Sequence, residues 1–162
     1  MKRILGILVL TVFSLVSIGE NVDRTKATIV ATNWYRNYAP KSKNQAVVAK
    51  TIPYQYKGRE CFYIFSFNEG GFVLVSANDA VTPVLGYGFD YPIPDSITNE
   101  AVIGWFDGYA RQIDTAFVIK LDNAAASEKW NQILKNTFPK SPGDGVGPLL
   151  TTIWDQGCYY ND

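Results

Sequence analysis

The sequence predicts an α+β fold, an antiparallel β-sheet of about four strands with α-helices packed on it. Three observations carry that reading. Residues 46–87 are dense in β-branched and aromatic side chains and are punctuated by Asn68-Glu-Gly-Gly71, a turn signal because glycine takes positive φ without steric cost. The stretches on either side of this block repeat their apolar residues at helical spacing instead. Finally, 47% of the 162 residues are hydrophobic, which suffices for one domain with a substantial core and leaves too little chain for two large ones.

Taken in order, residues 22–38 place Ile29, Val30, Trp34 and Tyr38 at helical spacing, and Pro40 with the following Lys41-Ser-Lys-Asn run ends that helix. Residues 46–51 make a short β-branched strand and residues 61–67 a second, aromatic one. Phe72-Val-Leu-Val-Ser76 is the return arm of a hairpin, and residues 81–87 add a strand that Pro83 places near an edge. Successive strands joined by short turns pair antiparallel, so this order reads as a meander. Two prolines within residues 90–96 then mark a turn. From Asn99 a helix carries Val102, Phe106, Tyr109 and Ile113 on one stripe, with Ile103 and Trp105 widening it. A further helix over residues 124–136 sets Trp130, Ile133 and Leu134 on one side. Pro139 and the run Ser141-Pro-Gly-Asp-Gly-Val-Gly-Pro148 read as an exposed linker.

The chain starts with an export signal: Lys2 and Arg3, an apolar run over residues 4–18, then Ser17 and Gly19 as the small residues a signal peptidase inspects. The run is short for a bilayer-spanning helix, which needs about 20 apolar residues. Residues 1–19 are therefore expected to be removed, leaving an exported protein with no stable membrane association; the alternative reading of the same run is an N-terminal membrane anchor. Its destination would be the medium, the periplasm or the cell surface. The whole chain balances 15 basic against 15 acidic residues, and loss of Lys2 and Arg3 leaves it mildly acidic. That balance argues against nucleic acid as a partner.

Histidine is absent from all 162 residues. Neither a Cys-His nor a Ser-His-Asp centre can be assembled from this chain alone, nor a His-ligated metal site, and no cofactor or metal is expected. Cys61 sits in the apolar stretch Arg59-Glu-Cys-Phe-Tyr-Ile-Phe65 and reads as a buried thiol in a strand; Cys158 lies near the end. An oxidising compartment would permit a bridge between them, but two cysteines give no spacing argument for one.

The segment after the linker is richer in large apolar side chains than a free tail needs. Leu149-Leu-Thr-Thr-Ile-Trp-Asp-Gln-Gly-Cys-Tyr-Tyr-Asn161 reads either as a tail docked on the first domain or as the opening of a second domain. Three stretches decide between them by resemblance. Gly70-Gly-Phe-Val-Leu-Val-Ser-Ala-Asn-Asp-Ala-Val-Thr-Pro-Val-Leu-Gly-Tyr87, then Ile103-Gly-Trp-Phe-Asp-Gly-Tyr-Ala-Arg-Gln-Ile113, then residues 149–161 resemble, in the same order, the pro-region and first catalytic-domain residues of streptopain-type bacterial cysteine peptidases.

That resemblance implies a layout: leader 1–19, a Spi-like inhibitor pro-region over 20–138, a linker with the maturation site over 139–148, and the start of a papain-like domain over 149–162. It implies a pro-region that assists folding of the peptidase domain and covers its cleft. The partner is that domain, in cis on a full-length precursor and otherwise in trans. The catalytic cysteine belongs to a later motif, and Cys158 is not its equivalent. Gln156 takes the place of the oxyanion-hole donor and would act only in a full-length enzyme. The segment proposed to enter the cleft comprises Ser96, Thr98, Asn99 and Glu100, with Asn99 foremost because an amide both donates and accepts. Against this stands the simpler possibility that Ser96, Thr98 or Asn99 only caps the following helix. Two other functions stay open at this point: a free-standing secreted inhibitor and an exported binding module using its aromatic side chains.

Overall fold

The computed structural model describes residues 20–138 except 44, 92 and 95. The described elements run α1 (Arg24–Tyr38), β1 (Val48–Tyr56), β2 (Arg59–Phe67), β3 (Phe72–Ser76), β4 (Val84–Gly88), α2 (Glu100–Val118) and α3 (Ala124–Leu134). The strands pair antiparallel in the order β1-β2-β3-β4, the expected meander in an α+β fold.

Helices cover both faces of the sheet. On one face Ala27, Val30, Ala31 and Tyr35 of α1, with Trp130 and Ile133 of α3, pack on Tyr63, Phe65, Val73 and Val75. On the other, Phe106, Ala110 and Ile113 of α2 pack on Phe62, Ile64, Leu74 and Leu85. This explains why the apolar run of β2 does not alternate. Every residue from Cys61 to Phe67 is buried, as a strand between two helical layers requires.

Strand β1 outruns the sequence expectation of 46–51 by continuing to Tyr56 through Pro53. Proline is tolerated because β1 is an edge strand, where a missing N–H leaves no inner ladder bond unmade. A two-residue turn follows, with Lys57 and Gly58 both at positive φ (49° and 77°), the geometry that matches the natural twist of a hairpin. Pro83 lies just ahead of β4, the opposite edge, and its carbonyl accepts from the Ser76 N–H at 3.0 Å.

Each helix starts on an Asp or Asn side chain: Asp23 accepts from the Lys26 N–H, Asn99 from those of Ala101 and Val102, and Asn123 from that of Ala126. Two stripes differ from the sequence reading. Helix α1 buries Ala27, Val30, Ala31 and Tyr35, while Ile29 and Tyr38 are exposed. Small alanines let α1 approach the sheet closely, so its buried face turns toward them. In α2, Ile103 and Trp105 do not widen the core stripe; both are exposed. At 100° per residue they fall about 70° and 90° from the line through Phe106 and Ile113.

Candidate functional site

The segment proposed from the sequence, residues 96–100, leads into α2. Three contacts fix α2 to the sheet and so fix this entry point. The Tyr54 hydroxyl donates to Asp107 Oδ1 at 2.7 Å, the Tyr109 hydroxyl donates to the Leu85 carbonyl at 3.1 Å, and Arg59 pairs with Asp114 at 3.6 Å. Within the segment Ile97 packs against the α2 core cluster, while Ser96, Thr98, Asn99 and Glu100 are exposed. One inward side chain thus anchors four outward ones.

Asn99 is the N-cap of α2. Its Oδ1 accepts from the Ala101 N–H at 2.9 Å and from the Val102 N–H at 3.4 Å. The Nδ2 donors take no part in that cap. The side chain thus caps the helix and is exposed at the same time.

Beside the segment lies an apolar groove of about 330 Å³, bounded by Phe72, Tyr91, Ile93, Ile97, Val102 and Trp105. Tyr91 and Trp105, the large rings at its margin, are 81% and 47% exposed, too open to be explained as core. Sequence reasoning missed both as surface residues. Trp105 was detectable from its angular offset on the helix, whereas Tyr91 follows no periodic element.

Cys61 is a buried free thiol. Burial first, then the charge of Asp114, push its pKa up, outweighing the lowering by a backbone hydrogen bond at Tyr56 and by Arg59. It is held as the unreactive thiol. Gln156 and Cys158 lie outside the described residues. Among the described residues no group of three or more cysteine or acidic side chains is placed to hold a metal ion, and no helix is long and apolar enough to cross a membrane.

Residues 19–113, which run from the strand-bridged entry to α1 through the sheet and into α2, match the Spi protease inhibitor family. The chain belongs to that family. The Spi-family match takes in the whole 96–100 segment and the groove beside it. The chain is also 30% identical to the thiol protease/hemagglutinin PrtT of Porphyromonas gingivalis, in an alignment covering 99% of this chain and 19% of that protein. It therefore spans about a fifth of the length of that relative. No solved structure matches the chain.

Proposed function

We propose that residues 20–138 are the pro-region of an exported, streptopain-type cysteine peptidase, assisting folding of a papain-like domain and covering its cleft. The observation that carries this reading is the pairing of two likenesses: a Spi protease inhibitor match over 19–113, and similarity along 99% of the chain to a thiol protease. In this reading residues 1–19 are the leader, 139–148 the maturation linker and 149–162 the start of the catalytic domain, where Gln156 would donate to the oxyanion. The likeness to a bacterial thiol protease supports cis inhibition in a precursor over a free-standing inhibitor.

The inhibitory contact is assigned to Ser96, Thr98, Asn99 and Glu100, on a loop held by a rigid scaffold. The exposed rings of Tyr91 and Trp105 supply an apolar surface on which the cleft wall would rest. Asn99 separates its two roles by atom: Oδ1 caps the helix and Nδ2 is offered to the peptidase.

The test measures inhibition constants against a mature streptopain-type peptidase, with thermal melting of each variant. Asn99→Asp keeps an Oδ1 cap and removes the amide donor, so it should melt as the parent and inhibit about tenfold less well. Asn99→Ala should lose both, the missing cap costing about 1 kcal/mol. If Asn99→Asp inhibits as well as the parent, Asn99 is a cap alone. If the parent chain inhibits no such peptidase, the pro-region reading fails.

A further inference from the structure

The described fold begins with an unusual attachment. Residues 20–22 do not trail from α1; they are stitched to residues 77–79 beyond the end of β3. The Val22 N–H donates to the Ala77 carbonyl at 2.8 Å, the Asp79 N–H donates to the Glu20 carbonyl at 3.3 Å, and Asn21 bridges Asn78 in antiparallel pairing. The outermost contact is of a different kind. The Glu20 backbone N–H donates to a carboxylate, Asp79 Oδ1, at 2.6 Å. The other oxygen of that carboxylate, Oδ2, stands 3.3 Å from Lys26 Nζ, and the Asp79 side chain is only 19% exposed. Lys26 in turn lies over the Trp130 ring, 5.4 Å from its centroid.

The mostly enclosed Asp79 carboxylate meets Lys26 on Oδ2 but receives the neutral Glu20 amide on Oδ1, and a charge held out of water is better matched by a charged partner there too. It suits an ammonium. The nitrogen it grips belongs to the residue immediately after Gly19, the small residue at which the leader reading places cleavage. We propose that leader removal converts the Glu20 amide into the α-ammonium of the mature chain and that Asp79 is the receptor built to hold it. The proposal rests on the export reading. In the cleavage, water adds across the Gly19–Glu20 peptide bond: its hydroxyl goes to the Gly19 carbonyl carbon and its proton to the Glu20 nitrogen, which takes one further proton from solvent.

The consequence is a fold completed by its own processing. Before cleavage the Asp79 carboxylate accepts from a neutral amide; afterwards the donor is itself charged, and the same atoms form an ion pair. The leader-bearing chain is then the less stable form, which suits a chain that must stay unfolded to cross a membrane. The mature form gains its last anchor on arrival.

The experiment compares two forms of the chain over residues 20–162, one with a free Glu20 amine and one N-acetylated there, in the parent and in an Asp79→Asn background. Acetylation restores an amide nitrogen without adding a leader. In the parent it should lower the melting temperature by about 4 °C. In the Asp79→Asn background, which keeps an oxygen acceptor and loses the charge, acetylation should change nothing. Acylation of the α-amine by an activated ester, read on the parent alone, should be about tenfold slower in the folded than in the unfolded chain, because ion pairing lowers the free-base fraction. Mass spectrometry of the exported protein supplies the separate check on cleavage. If that protein starts elsewhere than Glu20, both the leader boundary and this proposal fall. If it starts at Glu20 but acetylation has no effect on melting, or the same effect in both backgrounds, Asp79 is not the receptor while the export reading stands.

Discussion

Gly71 and Gly58 have similar backbones and unequal surroundings, and the difference shows how much a single residue can carry. Both have positive φ, 86° and 77°. A Cβ on Gly71 would lie 2.5 Å from the Gly88 carbonyl oxygen and 2.7 Å from Phe89 Cα, whereas one on Gly58 would meet nothing within 4 Å. Gly71→Ala should therefore cost upwards of about 2 kcal/mol in urea unfolding, and Gly58→Ala about 1 kcal/mol from backbone strain alone. Equal losses at the two positions would show that the β3–β4 crowding relaxes freely. Two tyrosines make the stability depend on alkaline pH. Burial first, and then hydrogen bonding to Asp107 and Glu60 respectively, push Tyr54 and Tyr63 from 10.0 to about 12. The folded state holds these protons more tightly than the unfolded chain does. Their contribution is thus complete below pH 10.0 and lost as pH climbs through about 12. Urea midpoints across that interval should fall, and Tyr54→Phe should flatten the decline.

At the scale of elements, the legible features were those with a strong local signal. The glycine turn at residues 68–71 and the dense run of β2 announced the central hairpin, and Pro40 announced the end of α1. The far end of β1 was hidden because Pro53 reads as a strand breaker until the strand is known to be an edge, and Lys57-Gly58 lacks the usual Asn or Asp of a tight hairpin. The buried face of α1 was misjudged because alanine carries little weight in an apolar count, yet Ala27 and Ala31 are fully buried. Helix α2 carries two glycines, Gly104 and Gly108, where an added Cβ would meet nothing within 4 Å. Gly104→Ala and Gly108→Ala should each raise stability by about 0.8–1.0 kcal/mol through helix propensity. A loss of stability in calorimetry at either position would mean that the helix depends on close approach there.

For the whole molecule, the fold class and strand order followed from patterning, but the 96–100 segment could not be singled out by patterning at all. Its exposed Ser96, Thr98, Asn99 and Glu100 look like any polar turn before a helix, and a cleft-filling role depends on a partner surface that this chain does not encode in its periodicity. The glycine- and proline-rich run over residues 141–148 should be where a broad-specificity protease cuts first, leaving a resistant fragment of residues 20–138. First cuts between Phe67 and Phe72 instead would contradict the hairpin. The attachment of α3 has a mechanical meaning. The far end of α3 and residues 136–138 are fastened to α1 by side chains, through Asn33 Nδ2 to the Ile133 carbonyl at 2.9 Å, Asn37 to Asn136 at 2.7 Å, and the Phe138 ring edge-on to Tyr38. Further in, the buried Trp130 donates its indole N–H to the Val81 carbonyl at 2.8 Å. No ladder of backbone bonds runs between the two helices, so tension applied through the chain beyond residue 138 loads these contacts one after another rather than together. The end of the helix would peel first, like a strip of tape lifting back toward the Trp130 anchor, while the sheet, whose strands share their load across many parallel bonds, held its shape. A load on the chain past residue 138 would meet this joint before it met the meander, so the joint would give while the sheet behind it stayed slack.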